Sequence, residues 1–160
     1  MQKIQLITVG KLKEPFYEEA VREYAKRLQR YCSLTLTELP EQRLPDDPSA
    51  AEISRALKAE AELIREKLPR GAVRVALCVE GREMSSEAFS RQLSAYALEG
   101  RSQTVFLIGG SFGLDESLKR EAELRLSFSP MTFPHHLARV LLLEQLYRAY
   151  QIQEGSKYHK

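Results

Sequence analysis

Short apolar runs alternate along the chain with longer segments in which apolar residues recur at helical spacing. The runs have the length and character of buried strands, and they lie at residues 3–9, 34–39, 73–79, 104–108 and 124–128. The run 73–79 is nearly continuous in apolar character, which is typical of a central strand in a parallel sheet. Because helical segments separate the runs, the pattern predicts an α/β fold, a mainly parallel sheet with helices on both faces.

Capping and terminating residues bound the helical segments. The first helix is predicted from about residue 14, since Pro15 suits the first helical position. Ser49 and Glu52 form a capping box that opens a second helix, which ends at residues 69–71. Further helices are predicted from residue 85 or 86 to 100, from 115 to about 122 and from 135 to about 152, with a loop at 40–48 and a turn at Gly81. The apolar side of the first helix is predicted to consist of Phe16, Ala20, Tyr24 and Leu28.

In parallel sheets, ligands bind beyond the carboxyl ends of the strands. Here that rule indicates three places, directly after Val79, Ile108 and Phe128.

The length of 160 residues, with no internal repeat or low-complexity linker, predicts a single domain over residues 1–160.

Composition narrows the class of protein. Apolar residues make up 43% of the chain and charged residues 29%, and the net charge of +2 does not by itself indicate a nucleic-acid binder. Cys32 and Cys78 do not accompany clustered histidines, so neither a disulfide framework nor a metal site is expected. No window approaches the roughly 20 apolar residues of a membrane span, and the N-terminal run is a strand and not a signal peptide. We therefore expect a cytoplasmic protein without a membrane partner.

The segment 107–113, L-I-G-G-S-F-G, places a glycine pair directly after a predicted strand. Glycine lets a ligand approach the backbone, and the following helix would add free N–H groups and the positive end of its dipole. A tight strand-to-helix turn explains the same residues equally well. Neither G-x-G-x-x-G nor G-x-x-x-x-G-K-[ST] is present, so no nicotinamide or nucleoside triphosphate site is indicated.

Three features lie near the C-terminus. The loop 126–136 carries Phe128, Met131 and Phe133, which suits either a packing loop or a pocket for a flat apolar ring. The last helix has four consecutive apolar residues at 140–143, so it is either central to the monomer or packed on a second subunit, and we favour a homodimer. The tail 154–160 is of a kind that is usually disordered, but its Tyr-His pair between lysines could also reach a nucleic acid.

Five motifs occur in order along the chain: G-K-L-K-E at 10–14, V-x-L-x-V-x-G at 75–81, F-L-I-G-G-S-x-G-L at 106–114, L-S-F-S-x-M-T-F-P-H at 126–135 and the terminal Y-H-K. In order and spacing they resemble the RlmH family, bacterial SPOUT-class methyltransferases that act on N3 of a pseudouridine in large-subunit (23S) ribosomal RNA. The resemblance covers essentially the whole chain.

The resemblance implies a SPOUT-type α/β knot, in which the C-terminal part of the chain forms a trefoil knot, and a homodimer with its active site at the subunit interface. It implies S-adenosylmethionine as the methyl donor and no metal. The donor-binding residues carried over by position are Leu77, Gly109 and the run Phe128, Ser129, Pro130, Met131, Thr132 and Phe133.

Methyl transfer to N3 requires loss of the N3 proton, so a base or a stabiliser of the developing anion is needed. The catalytic candidates are His135, Arg139, Tyr158 and His159. Arg139 is expected to contact substrate phosphate or to stabilise the anion, and the Tyr158-His159 tail of the partner subunit to cover the substrate. His136 is explained equally well by packing. The expected substrate is 23S rRNA within a ribosome or large subunit, not DNA.

Two alternatives of other classes stay open at this point. A flavodoxin-like or Rossmann-like oxidoreductase would need a flavin or nicotinamide phosphate site, and none is visible in the sequence. A non-catalytic RNA-binding or ribosome-assembly module would share the fold without binding S-adenosylmethionine.

Overall fold

Strands and helices alternate along the entire chain in the computed structural model, which describes residues 1–160. The elements are, in order, β1 (Gln2–Val9), α1 (Pro15–Leu28), β2 (Cys32–Leu39), α2 (Ala50–Lys67), β3 (Val73–Glu83), α3 (Ser86–Leu98), β4 (Gln103–Ile108), α4 (Glu116–Glu121), β5 (Leu124–Ser127) and α5 (His135–Gln153). All strand pairs are parallel, in the order β2-β1-β4-β3-β5. The predicted fold class is confirmed.

Two separate cores lie on the two faces of the sheet. Successive side chains of a strand point to opposite faces, so on β1 Ile4 and Leu6 contribute to one core while Ile7 and Val9 contribute to the other. The larger core is closed by α1, α3 and α5, and the smaller one by α2 and α4. Because both faces are covered, the central strands need apolar residues at nearly every position.

Helix α5 lies between α1 and α3 on the larger core. Its Leu142, Leu143 and Leu146 are fully buried, and no residue from 135 to 152 is exposed. The central position in the monomer therefore accounts for a helix without a single apolar stripe. The homodimer is not required to bury this helix and stays a prediction.

Gly81 does not turn the chain, contrary to the prediction. Strand β3 continues to Glu83, and its register against β5 shifts between Leu77 and Arg82. A β-carbon at Gly81 would lie 2.8 Å from the carbonyl carbon and oxygen of Arg125. The glycine therefore permits a close approach of two backbones at a strand irregularity, which is the other common role of glycine within a strand.

The apolar side predicted for α1 is wrong at its first residue, because Phe16 is 63% exposed. Leu28 is buried, and Val21 packs against the larger core in place of Phe16. The physical reason is helical drift: positions four residues apart rotate by about 40° at each step, so a stripe from residue 16 to residue 28 turns through about 120°.

The capping box that begins α2 is formed as predicted. The Ser49 hydroxyl oxygen accepts the N–H of Glu52 at 3.1 Å, and the Glu52 carboxylate accepts the N–H of Ser49 at 3.1 Å. Two N–H groups at the helix start are thereby satisfied by side chains.

Replacing Ser49 with Ala should lower the free energy of unfolding by about 1 kcal/mol, since a helix-start N–H group loses its acceptor. Urea denaturation followed by circular dichroism, at one protein concentration, measures the change. Ser54→Ala, on the exposed side of the same helix, is the matched control and should change the value by less than about 0.5 kcal/mol. Equal losses in the two variants would contradict a capping role.

Candidate functional site

Three chain segments meet at the carboxyl edge of the sheet, beside β3, β4 and β5, and enclose a cavity of about 600 Å³. The segments are 77–80 in the irregular part of β3, 108–114 after β4, and 126–135 between β5 and α5. These are the three places that the strand-end rule indicated from the sequence. Half of the lining residues are hydrophobic, which is typical of a pocket for an organic ligand.

Most of the residues predicted to bind the donor line this cavity. They are Leu77, Gly109, Phe128, Ser129, Met131, Thr132 and Phe133. Pro130 lies in the same loop but is exposed and does not contribute to the lining. The sequence analysis missed Cys78, Glu80 and Lys119, which also face the cavity. An ion pair of 2.6 Å joins Lys119 to Glu80 across 39 residues of sequence, a separation at which no local pattern could have indicated it.

The loop from β5 to α5 is shaped by its own serines. The Ser127 hydroxyl donates to the carbonyl of Ser129 at 3.0 Å, and the Ser129 hydroxyl oxygen accepts the N–H of Met131 at 3.0 Å. Phe128 packs against the larger core, whereas Met131 is 72% exposed at the cavity. The loop therefore both packs against the larger core and forms one wall of the cavity. The packing loop and the pocket, which the sequence left as alternatives, are compatible with each other.

The glycines after β4 form a tight turn that is one wall of the cavity. Gly113 has φ of +81° and donates its N–H to the carbonyl of Gly110 at 3.0 Å. A β-carbon at Gly109 would lie 2.2 Å from the carbonyl oxygen of Gly113, so no other residue fits there without movement of the turn. Glycine at position 109 is thus required for the turn itself.

The helix that follows the glycine turn caps one of its own N-terminal N–H groups. Helix α4 begins at Glu116, and the Asp115 carboxylate accepts the N–H of Ser117 at 3.1 Å. The predicted cap at Asp115 is confirmed, and it leaves one N–H group fewer for a ligand.

His135, the first residue of α5, lines the cavity. Burial is the main cause that lowers its pKa, and the nearby charges of His136 and Arg139 lower it further. Glu41 and Glu14 act in the opposite direction. The imidazole is therefore uncharged at neutral pH, the state in which it can accept a proton.

Arg139 lies one turn further along α5 and is only 3% exposed. Its Nη1 pairs with Glu38 at 2.6 Å, and its Nη2 donates to the carbonyl of Gly10 at 2.5 Å. The Nε–H is buried and has no hydrogen-bond partner. Arg139 faces a second, smaller cavity of about 410 Å³ that is also lined by Thr8 and Lys11.

The C-terminal tail folds back on its own chain. The Tyr158 hydroxyl donates to Glu144 at 3.2 Å, and the His159 ring nitrogens lie 2.7 Å from Glu87 and 3.1 Å from Arg148. Burial, followed by the charge of Glu144, raises the pKa of Tyr158. Glu144 is nine residues beyond the start of α5, about 13 Å along the helix. Within one subunit, Tyr158 and His159 therefore lie apart from His135 and Arg139.

No three His, Cys, Asp or Glu side chains come together so that they could hold a metal ion. None of the helices combines the length and the apolar character needed to cross a membrane.

Comparison with known proteins assigns the chain to a family. A family model described as "Predicted SPOUT methyltransferase" matches residues 2–159. The chain belongs to the SPOUT methyltransferase family. The protein named "Ribosomal RNA large subunit methyltransferase H" from Streptococcus suis (strain 05ZYH33) is 48% identical to this SPOUT methyltransferase over 158 residues, 99% of each chain. A protein of the same name from Acetivibrio thermocellus is 44% identical over the same share.

Two solved structures share the SPOUT fold at lower identity. A probable methylase family protein from Haemophilus influenzae Rd KW20 has a TM-score of 0.59 and 14% identity, covering 99% of this chain and 71% of its own. A probable methyltransferase from Bordetella pertussis Tohama I has a TM-score of 0.57 and 17% identity, and the match covers 92% of this chain and 96% of that protein. Neither the oxidoreductase nor the non-catalytic alternative gains support from these relatives.

Replacing Gly109 with Ala should destabilise this SPOUT methyltransferase by about 3 kcal/mol, because the added carbon overlaps the backbone of Gly113. Scanning calorimetry gives the shift in melting temperature. Gly100→Ala is the control, since Gly100 has a φ of +79° but open space around it, and should cost only about 1 kcal/mol. A Gly109 variant that melts at or above the control would show that the turn relaxes freely.

Proposed function

We propose that the protein is an S-adenosylmethionine-dependent methyltransferase that methylates N3 of a pseudouridine in 23S rRNA, within the large subunit or the assembled ribosome. The observation that carries the proposal is the cavity beyond β3, β4 and β5, which is lined by the residues assigned to the donor from the sequence motifs. The relatives named as large-subunit rRNA methyltransferases, which match over their full length, support the acceptor. Such a substrate implies action in the cytoplasm.

The cavity suits S-adenosylmethionine in shape and chemistry. Its volume of about 600 Å³ lies within the usual range for ligand pockets, and Leu77, Phe128 and Phe133 offer apolar contact to a flat base. Gly109 lines the cavity, and its lack of a β-carbon lets the turn fold tightly onto Gly113 at this wall. When bound, S-adenosylmethionine supplies an electrophilic methyl group on a sulfonium. The uncharged His135 at this wall does not repel that positive charge.

The residues at the start of α5 suit the proton transfer. N3 must lose a proton as it gains the methyl group, and His135 is uncharged at neutral pH and faces the cavity. Arg139 keeps its guanidinium oriented through Glu38 and the Gly10 carbonyl, and its positive charge one helical turn from His135 would favour a developing anion. Little reorganisation is then required during the reaction.

We also propose that the tail acts across a homodimer, and that the C-terminal part of the chain forms the trefoil knot implied by the family. The separation of Tyr158 and His159 from His135 within one subunit supports a site shared between subunits. A tail that covers the substrate of the partner would bring all four candidates to one place.

The proposed function is tested with labelled S-adenosylmethionine and ribosomes that lack the modification. Calorimetry should show donor binding to the wild-type protein, and label should enter 23S rRNA at one nucleotide, mapped by primer extension and mass spectrometry. Parallel reactions with free 23S rRNA and isolated large subunits identify the form of substrate. Absence of donor binding would overturn the enzyme and leave a non-catalytic RNA-binding module.

Deletion of residues 158–160 should reduce methylation about a hundredfold, the usual effect of removing a catalytic acid or base, while donor affinity stays within about twofold. Glu154→Gln, at the exposed first position of the tail, is the control and should retain full activity. Heterodimers of the deletion variant and the His135→Ala variant test whether the site is shared. In such a heterodimer, His135 of one subunit and the tail of the other form one intact site, so part of the methylation activity should return. Intact methylation by the deletion variant would contradict the role of the tail.

A further inference from the structure

Glu41, in the loop between β2 and α2, contacts the glycine turn that walls the donor cavity. Its Oε1 accepts the N–H of Ser111 at 2.8 Å, across 70 residues of sequence. A β-carbon at Gly110 would lie 2.6 Å from the same oxygen, so the carboxylate approaches the turn only because that position is glycine. Glu41 is therefore one of the groups that hold residues 109–113 in place.

The other carboxylate oxygen of Glu41 borders a small space that two side chains of α5 also border. The point where a β-carbon would stand on Gly10 is 3.6 Å from Glu41 Oε2, 3.6 Å from His135 Nε2 and 4.0 Å from Arg139 Nη2. Gly10 has a φ of +98°, a conformation that favours glycine and leaves this point free of side chain. A carboxylate from the loop before α2 and an imidazole and a guanidinium from the start of α5 thus converge on one small space.

We propose that Glu41 is a positioning residue that joins the donor wall to the proton acceptor, with one oxygen holding the glycine turn and the other stabilising the protonated form of His135. The inference rests on the proposed function and deepens it. It assigns a role to a residue in a proline-flanked loop that no sequence motif singled out.

The charges around His135 support this role. On α5 itself, His136 and Arg139 oppose a positive charge on the imidazole, and burial opposes it more strongly. Among the groups on other elements, Glu41 and then Glu14 favour that charge. Glu41 is therefore the main counter-charge when His135 takes up a proton, and the pKa of His135 should fall when Glu41 is neutralised.

Two substitutions separate the two contacts. Glu41→Gln keeps a carbonyl oxygen for the Ser111 N–H but removes the charge, whereas Glu41→Ala removes both. We expect E41Q to bind S-adenosylmethionine within about twofold of the wild type and to lose about tenfold in kcat, the equivalent of one charged hydrogen-bond interaction. E41A should show the same loss in kcat and, in addition, about tenfold weaker donor binding.

A histidine titration gives a readout that a purely structural role would not move. The chain has three histidines, so ¹³C-labelled imidazoles can be assigned with single His→Gln variants and titrated by NMR without substrate. The His135 pKa should be lower in E41Q than in the wild type, and the acidic limb of the kcat profile should move to lower pH with it. Asp46→Asn, an exposed carboxylate of the same loop, is the matched control and should change neither value.

The outcomes are distinguishable. If the wild-type protein is active and E41Q has the same His135 titration and the same kcat, the inference about Glu41 is overturned and the proposed function stands. A wild-type protein that neither binds S-adenosylmethionine nor methylates ribosomes overturns the proposed function, and the role of Glu41 with it. Loss of donor binding in E41Q without any change in the titration would reduce Glu41 to a structural contact and also overturn the inference.

Discussion

The parallel pairing of all strands is the constraint on which the site depends. Parallel strands share one carboxyl edge, so the irregular part of β3 and the segments that follow β4 and β5 lie side by side and enclose a cavity. Parallel pairing also requires a crossover between neighbouring strands, which places helices on both faces and buries the central strands β1 and β4. One hydrogen-bonding pattern thus determines both the cores and the location of the cavity.

Helix α5 connects the larger core with the catalytic candidates. Its leucines occupy the centre of that core, so its first turn is held rigidly at the carboxyl edge, where His135 faces the cavity. Arg139, itself buried, adds an ion pair with the half-exposed Glu38 of β2. Loss of one partner of such a pair leaves an uncompensated charge, which makes the pair a strong determinant of helix position even where its net stabilisation is small.

Backbone approach at glycine shapes the remaining walls. Gly81 lets β5 contact the irregular part of β3, Gly109 closes the turn after β4, and Gly110 admits the carboxylate of Glu41. A side chain at any of these positions would overlap its neighbour, so the cavity is defined as much by absent β-carbons as by the groups that line it.

Local features were determined by the sequence alone. The strands, the capping box at Ser49 and the glycine pair after β4 follow from adjacent residues, since periodicity and helix-end hydrogen bonds act over a few positions, and the family motifs added the donor-binding loop. Tertiary structure decided the rest: Gly81 as a strand irregularity, Phe16 outside the core, Pro130 outside the cavity, and Glu41 beside both Ser111 and His135. These contacts depend on strand order and on how distant loops meet, which no local pattern of residues records.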